Sequence, residues 1–144
     1  KMKIVIEKFL SGTDIGSTNT HQSGIYIPKD VLIFFPSLDN KLKNPRKKIL
    51  FKDIYGENNE FNFIYYNNKF FGGTRNEYRL TGINSFIKSR NLLIGDLIKL
   101  VRDNKKFYIH YKKVRLKKEI NTGFYNWKIY NLIKNDLNNY ERIN

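Results

Sequence analysis

The stretch ILFKDIYGENNEFNFIYY, residues 49–66, decides the fold. Ile49 to Ile54 and Glu60 to Tyr66 are rich in β-branched and aromatic residues that alternate with polar ones. Alternation at a period of two puts the apolar side chains on one face of a strand. Between them Tyr55-Gly56-Glu57-Asn58-Asn59 has turn composition, so the two runs read as a hairpin. A second pair follows the same pattern, with Asp96 to Arg102 and Lys106 to Lys112 joined by Asp103-Asn104-Lys105. Met2 to Phe9 alternates as well, with Ile4 and Ile6 on one side and Lys3, Val5 and Glu7 on the other.

The remaining segments fit around these strands. Ser11 to Thr20 is a polar run of Ser, Gly, Thr, Asp and Asn, with little to bury, and reads as a surface arm. Gly24 to Ile27 forms a short strand. Pro28 then opens a helix through Asp30 to Phe35, ended by Pro36. Leu42 to Lys48 reads as a basic connector containing Pro45, and Phe70 to Gly73 breaks the pattern before strand Arg75 to Thr81. Asn84 caps a short helix through Lys88. From Trp127 the apolar residues Ile129, Leu132, Ile133 and Leu137 fall at helical spacing opposite Lys128, Lys134, Asn135 and Asn138, which predicts a terminal helix. The expectation is a single domain over residues 1–144, mainly β in an α+β setting.

Size and composition support a folded domain. A chain of 144 residues with 40% apolar residues can bury a true core. Its 27 Lys and Arg against 13 Asp and Glu give a net charge of +14, a bias that points to an acidic partner and first to nucleic acid. Surface tuning for solubility, or codon bias toward Lys and Asn, would give the same excess. The absence of Cys excludes disulfides, thiolate zinc sites and cysteine nucleophiles. No apolar run approaches the roughly 18 residues of a membrane span, and Lys1 to Leu10 lacks a signal-peptide core, so no membrane partner and a cytoplasmic setting are expected.

Two clusters carry the chemistry of recognition. Arg75, Glu77 and Arg79 fall on one strand face and span roughly 13 Å at about 3.3 Å per residue. Arg donates a bidentate pair to guanine O6 and N7, and a carboxylate accepts from cytosine N4, so this row suits G and C bases in a major groove. An exposed strand face whose opposite charges pair with each other has the same pattern. The second cluster, Thr20-His21-Gln22-Ser23-Gly24-Ile25-Tyr26, presents donors and acceptors where the polar arm meets a strand. His21 and Tyr26 are suited to base or phosphate contacts, and a capped turn with a solvated His21 is the plainer alternative.

Together, THQSGIYIP at Thr20 to Pro28 and IYYNNKFFGGTRNEYRLT at Ile64 to Thr81 resemble the recognition arms of the N-terminal domain of EcoRII-type restriction endonucleases. Similarity extends from about Lys8 to Thr81, through Phe35-Pro36-Ser37 and Asn44-Pro45. The resemblance implies an open pseudobarrel of about seven or eight strands with short flanking helices, related to plant B-three DNA-binding domains. It further implies two arms that grip a short near-palindromic duplex from the major groove, one per half-site, with the domain bound as a monomer. Carried over by position, His21, Tyr26, Arg75, Glu77 and Arg79 would read bases and Lys8 would assist near the base of the first arm. Ser17, Thr18, Asn19, Thr20, Gln22, Ser23, Lys29, Lys47, Lys48, Thr74 and Asn76 would contact the backbone or support the readers, while the side chains of Asn76 and Tyr78 point inward. The family has Lys immediately before the Thr-Arg-Asn-Glu run, where this chain has Gly73. Sites of the CCWGG kind are expected, as is a separate C-terminal nuclease domain in the same protein.

Further phosphate contacts are expected from Lys41, Lys43 and Arg46, and from Lys112, Lys113, Arg115, Lys117 and Lys118. A catalytic centre is not expected, nor any cofactor or metal for DNA binding. His21 and His110 are the only histidines, and no acidic pair precedes a carboxylate-x-Lys strand. Gly24-Ile25-Tyr26 matches the first half of the GIY-YIG nuclease motif, but its partner is missing. The competing reading is a basic module that stacks exposed Tyr and Phe on RNA or single-stranded DNA. A role at a membrane surface or on a heparin-like polymer would need a basic amphipathic helix, and none is present.

Overall fold

The structure is a computed structural model that describes residues 2–16, 24–114 and 123–133. Its strands are β1 (Met2–Phe9), β2 (Ile25–Ile27), β3 (Arg46–Lys52), β4 (Asn58–Tyr66), β5 (Glu77–Thr81), β6 (Leu97–Asp103), β7 (Lys106–Lys112) and β8 (Lys128–Ile133). They form one eight-stranded sheet in the order β2-β5-β4-β3-β7-β6-β1-β8. Neighbours are antiparallel except β3 and β7, which run parallel with Phe51 opposite Phe107. The sheet curls until its two ends approach, and the Trp127 indole N–H at the start of β8 donates to the Tyr26 carbonyl of β2 at 3.1 Å. A mainly β pseudobarrel is therefore what the chain forms.

The concave face holds the core, because each strand sends alternate apolar residues inward. Phe51, Phe61, Phe63, Leu80, Ile98, Leu100 and Ile109 are all buried there. The short segments plug the ends. Lys29–Phe34 is a 3₁₀ turn that follows Pro28 and buries Val31 and Phe34, and Phe34 meets Phe51 and Phe107 at ring distances of 6.5 and 5.7 Å. The helix α1 (Ile83–Ser89) buries Ile83, Phe86 and Ile87.

Three expectations are corrected. The terminal helix is strand β8, paired antiparallel with β1 from Met2 opposite Ile133 to Glu7 opposite Lys128. Trp127 and Ile129, two residues apart, pack on the core while Tyr130 packs on Val5 at the other face. An unpaired β1 edge offers a full ladder of backbone hydrogen bonds, which outweighs the helical spacing. Lys134, Asn135, Leu137 and Asn138 lie outside the described residues, as do Arg115, Lys117 and Lys118. The basic connector is partly strand, since Arg46, Lys47 and Lys48 pair with Ile64, Phe63 and Asn62. Asn84 does not cap α1; Gly82 is the capping residue, with φ 86°, and the Asn84 side chain is used elsewhere.

The β3–β4 turn falls at residues 53–57, slightly earlier than its composition implies, because Asp53 organises it. Its Oδ1 accepts the Tyr55 and Glu57 amides at 2.9 and 3.0 Å, and its Oδ2 accepts from Asn59 at 3.2 Å and Arg90 at 2.9 Å. Burial pushes the Asp53 carboxyl upward, but the hydrogen bonds from Asn59, Glu57, Tyr55 and Arg90 together hold it below its ordinary value. A carboxyl lowered in the folded state contributes stability above its unfolded pKa of about 4 and loses it as pH falls through the folded value. Asp53→Asn is accordingly expected to cost about 1–3 kcal/mol at pH 7. The gap to the wild type should close in urea titrations below about pH 4, and a gap independent of pH would contradict this account.

Candidate nucleic-acid interface

Register places the charged row on the convex face. Tyr65 pairs with Tyr78, Ile64 with Arg79 and Tyr66 with Glu77, and directly opposed residues share a face. Tyr78 and Leu80 therefore point inward, where Tyr78 stacks on Tyr65 at 4.2 Å and on Phe63 at 5.7 Å. Glu77 and Arg79 point outward. The three charges interlock, with Arg75 Nη2 at 2.6 Å from Glu77 Oε1 and Arg79 Nη1 at 3.6 Å from Glu77 Oε2. The three residues thus pair with one another, Glu77 between the two arginines.

Accessibility grades along the row. The Arg75 side chain is 38% exposed, Glu77 21% and Arg79 only 4%. Arg79 is covered because Tyr26 of β2 stands opposite it on one side and buried Ile64 on the other, and its Nη2 donates to the Gly24 carbonyl at 3.0 Å. Arg75 precedes the strand. Its guanidinium lies 3.8 Å over the Tyr66 ring, a cation–π contact. Its backbone N–H donates to Asn68 Oδ1 at 2.6 Å, and its carbonyl accepts from the Lys69 N–H at 2.9 Å.

Asn76 lies on the Tyr78 side, where its Oδ1 accepts from the Tyr65 hydroxyl at 2.6 Å, and because the strand begins only at Glu77 it is exposed there. Gly73 also has a local reason. A Cβ there would stand 2.8 Å from the Asn68 side chain, the group that holds Arg75. Thr74 beside it is exposed.

The first arm is visible at its root. Lys8, expected near DNA, is buried and its Nζ lies 2.5 Å from Asp14 Oδ2, with the Trp127 ring 5.9 Å away. Asp14 Oδ2 also accepts the Ser11 amide at 2.9 Å. At the other end Gly24 adopts φ 80° and leads into β2, where Tyr26 is 51% exposed beside Arg79. Ser17, Thr18, Asn19, Thr20, His21, Gln22 and Ser23 lie outside the described residues.

The basic residues divide between faces. Arg46 and Lys48 share the convex face with Arg79, since Arg46 opposes Ile64 and Lys48 opposes Asn62, itself opposite Thr81. Lys48 is exposed, 4.0 Å from Glu60. Lys47 belongs to the alternate row but is exposed at the strand end, and Lys29, Lys41, Lys43, Lys112 and Lys113 are exposed too. Sequence reasoning missed Tyr66, Asn68 and Asn84. The first two lie in the stretch already singled out for the second arm, but their roles depend on how that arm folds back. Among the described residues no three His, Asp or Glu side chains converge as metal ligands, and no helix is long and apolar enough to cross a membrane.

Comparison with known proteins bears on this arrangement. The family described as restriction endonuclease EcoRII, N-terminal, matches residues 1–106. Over 78 residues the chain is 37% identical to the type II restriction enzyme EcoRII of Escherichia coli, covering 51% of this chain and 19% of that protein. Over 99 residues it is 28% identical to auxin response factor 3 of Oryza sativa subsp. japonica, covering 68% of this chain and 13% of that one. The chain thus spans a fifth or less of the length of these relatives. Among solved structures, an Arabidopsis FUS3-DNA complex superposes with a TM-score of 0.56 at 21% identity, covering 74% of this chain and 94% of that one. The Arabidopsis thaliana transcription factor LEC2-DNA complex gives 0.56 at 19% identity, covering 79% and 96%. At such identities these two establish a shared fold.

Proposed function

Because this chain belongs to the family of EcoRII N-terminal domains of restriction endonucleases, we propose that it is a sequence-specific double-stranded DNA-binding domain that reads a short G/C-flanked site in the major groove. The observation that carries the reading is the convex-face row Arg75, Glu77 and Arg79, held in register by Tyr66, Asn68 and the Gly24 carbonyl. In the free protein the row satisfies itself. On a cognate site the ion pairs are exchanged, Arg75 turning to guanine O6 and N7 and Glu77 to cytosine N4, while Arg79 offers guanine the Nη1 edge released by Glu77 and keeps its Nη2 on the Gly24 carbonyl. A wrong base would leave these partly buried charges without partners, which makes the exchange selective.

Tyr26 and His21 serve the half-site read by the first arm, with Ser17, Thr18, Asn19, Thr20, Gln22, Ser23 and Thr74 around the readers. Arg46, Lys29, Lys47 and Lys48 supply phosphate contacts. Lys8 acts by fixing Asp14 at the arm root. Of the exposed aromatics among the described residues, Tyr26, Tyr55, Phe70 and Phe71, Tyr26 alone lies on a strand and the others lie in turns, which favours groove reading over stacking of RNA or single strands on the sheet. The domain binds as a monomer in the cytoplasm without a cofactor, and phosphodiester hydrolysis belongs to a nuclease domain of the same protein.

Gel-shift titration at two salt concentrations with EDTA tests this. A CCWGG duplex should bind about a thousandfold more tightly than a scrambled one. Equal affinity for both rules out this site, and tighter binding of the single strand overturns the groove reading. Arg75→Ala should cost about 1–3 kcal/mol on the preferred duplex and less on the scrambled one. Equal losses on the two would remove Arg75 from direct readout.

A further inference from the structure

Asn84 sits half-buried in the first turn of α1, just past the second arm's motif and 60 and 70 positions from the two ends of the first arm, yet its side-chain amide bonds both of those ends. Asn84 Nδ2 donates to the Asp14 carbonyl at 3.0 Å, and Asn84 Oδ1 accepts the Gly24 N–H at 2.8 Å. Residues 15–23 lie between those two points. We propose that Asn84 is a positioning residue for DNA recognition, clasping the two ends of the first arm so that the arm leaves the barrel at a fixed place toward the duplex; the inference rests on the recognition reading above.

The chemistry of the clasp is specific to Asn. It needs a donor and an acceptor on one short planar group, aimed at a carbonyl and an N–H at opposite ends of the same segment. Asp lacks the donor, Ser lacks the second arm, and Leu keeps the volume without either bond. Each anchor point has a partner on its own side, and the Asn84 amide joins the two. Asp14 is held by Lys8 and Ser11, and the Gly24 carbonyl by Arg79, the innermost residue of the second arm's row. Gly24 is therefore the point at which the two arms share a support.

Fixing both ends sets where the arm leaves the sheet, so that this geometry does not have to be found on binding. Affinity for any duplex, in contrast, comes from the phosphate-facing Lys and Arg and should not depend on the clasp. Asn84→Leu should thus weaken specific binding by up to about thirtyfold, the worth of two ordinary hydrogen bonds. Binding to a random duplex should change by less than about threefold and the salt slope by less than about one unit.

The experiment uses the duplex that the wild-type chain enriches from a randomised double-stranded library, with an unselected duplex as control. Gel-shift titrations of wild type and Asn84→Leu are combined with amide exchange of Gly24. Loss on the selected duplex alone, with faster Gly24 exchange, is the expected result. Equal affinities for wild type and variant, or parallel losses on both duplexes, overturn the clasp. No enrichment by the wild type overturns the recognition reading and the clasp with it. Should the Leu variant fail to fold, Asn84→Asp retains the acceptor for Gly24 and loses the donor for Asp14. It should keep Gly24 protected yet weaken binding to the selected duplex more than to the control, and full retention of that preference overturns the inference.

Discussion

Replacing Asp14 by Ala is expected to destabilise the domain by about 3–5 kcal/mol, because it strands a buried ammonium. The Lys8 and Asp14 side chains are 8% and 6% exposed and 2.5 Å apart. Taking either charge out of water is costly, and only the partner offsets that cost, so removing one side leaves the other buried and uncompensated. The same change also removes the acceptor for the Ser11 amide. Urea unfolding followed by circular dichroism measures the loss. Lys8→Met with Asp14→Ala should recover most of it, since a flexible apolar chain fills the Lys8 channel without a charge to satisfy. A loss below about 1 kcal/mol for Asp14→Ala alone would mean that Lys8 reaches water and that the root of the first arm is not rigidly tied.

Gly24→Ala should be nearly as damaging, for a steric reason. A Cβ at this position would stand 2.3 Å from the Leu80 carbonyl oxygen and 2.8 Å from its carbon, distances no relaxation of a flexible side chain can relieve. The left-handed backbone conformation, φ 80°, adds about 1–2 kcal/mol for any residue with a Cβ. The cheapest escape is to lift β2 off β5, which would expose Ile25 and Ile27, both 1% exposed in the fold, at about 1.5–3 kcal/mol each. A total of about 3 kcal/mol or more follows, with loss of the Tyr26–Arg79 juxtaposition on the convex face. Gly16→Ala is the matched control. Gly16 has φ 77° but nothing within 4 Å of the added Cβ, so it should show only the backbone cost. Equal thermal shifts for the two variants would show that the contact with Leu80 is not what makes Gly24 necessary.

Both residues lie outside what hydrophobic pattern alone can single out. Gly24 was recognisable as a strand entry, but its closeness to Leu80 is a matter of how β2 docks. Lys8 carried an expectation of DNA contact by position in a familiar motif, and its burial against Asp14 follows from the polar loop folding back over β1.

Local pattern determined a large part of this molecule. The hairpins over residues 49–66 and 96–112, the alternation of β1 and the row Arg75, Glu77 and Arg79 all follow from side-chain periodicity and turn chemistry. Such signals act between residues a few positions apart and hold in any context. The two arm motifs also carried the family. Tertiary structure decided the rest. Residues 128–133 satisfy helical and extended spacing alike, and the free edge of β1, more than a hundred residues earlier in the chain, chose the strand. The same holds for the burial of Arg79 beneath Tyr26 and Ile64 and for the use of Asn84 as a bridge to residues 60 and 70 positions away. In each case the partner is supplied by a distant segment. The free energy of pairing or desolvation belongs to the assembled sheet, and no window of sequence contains it.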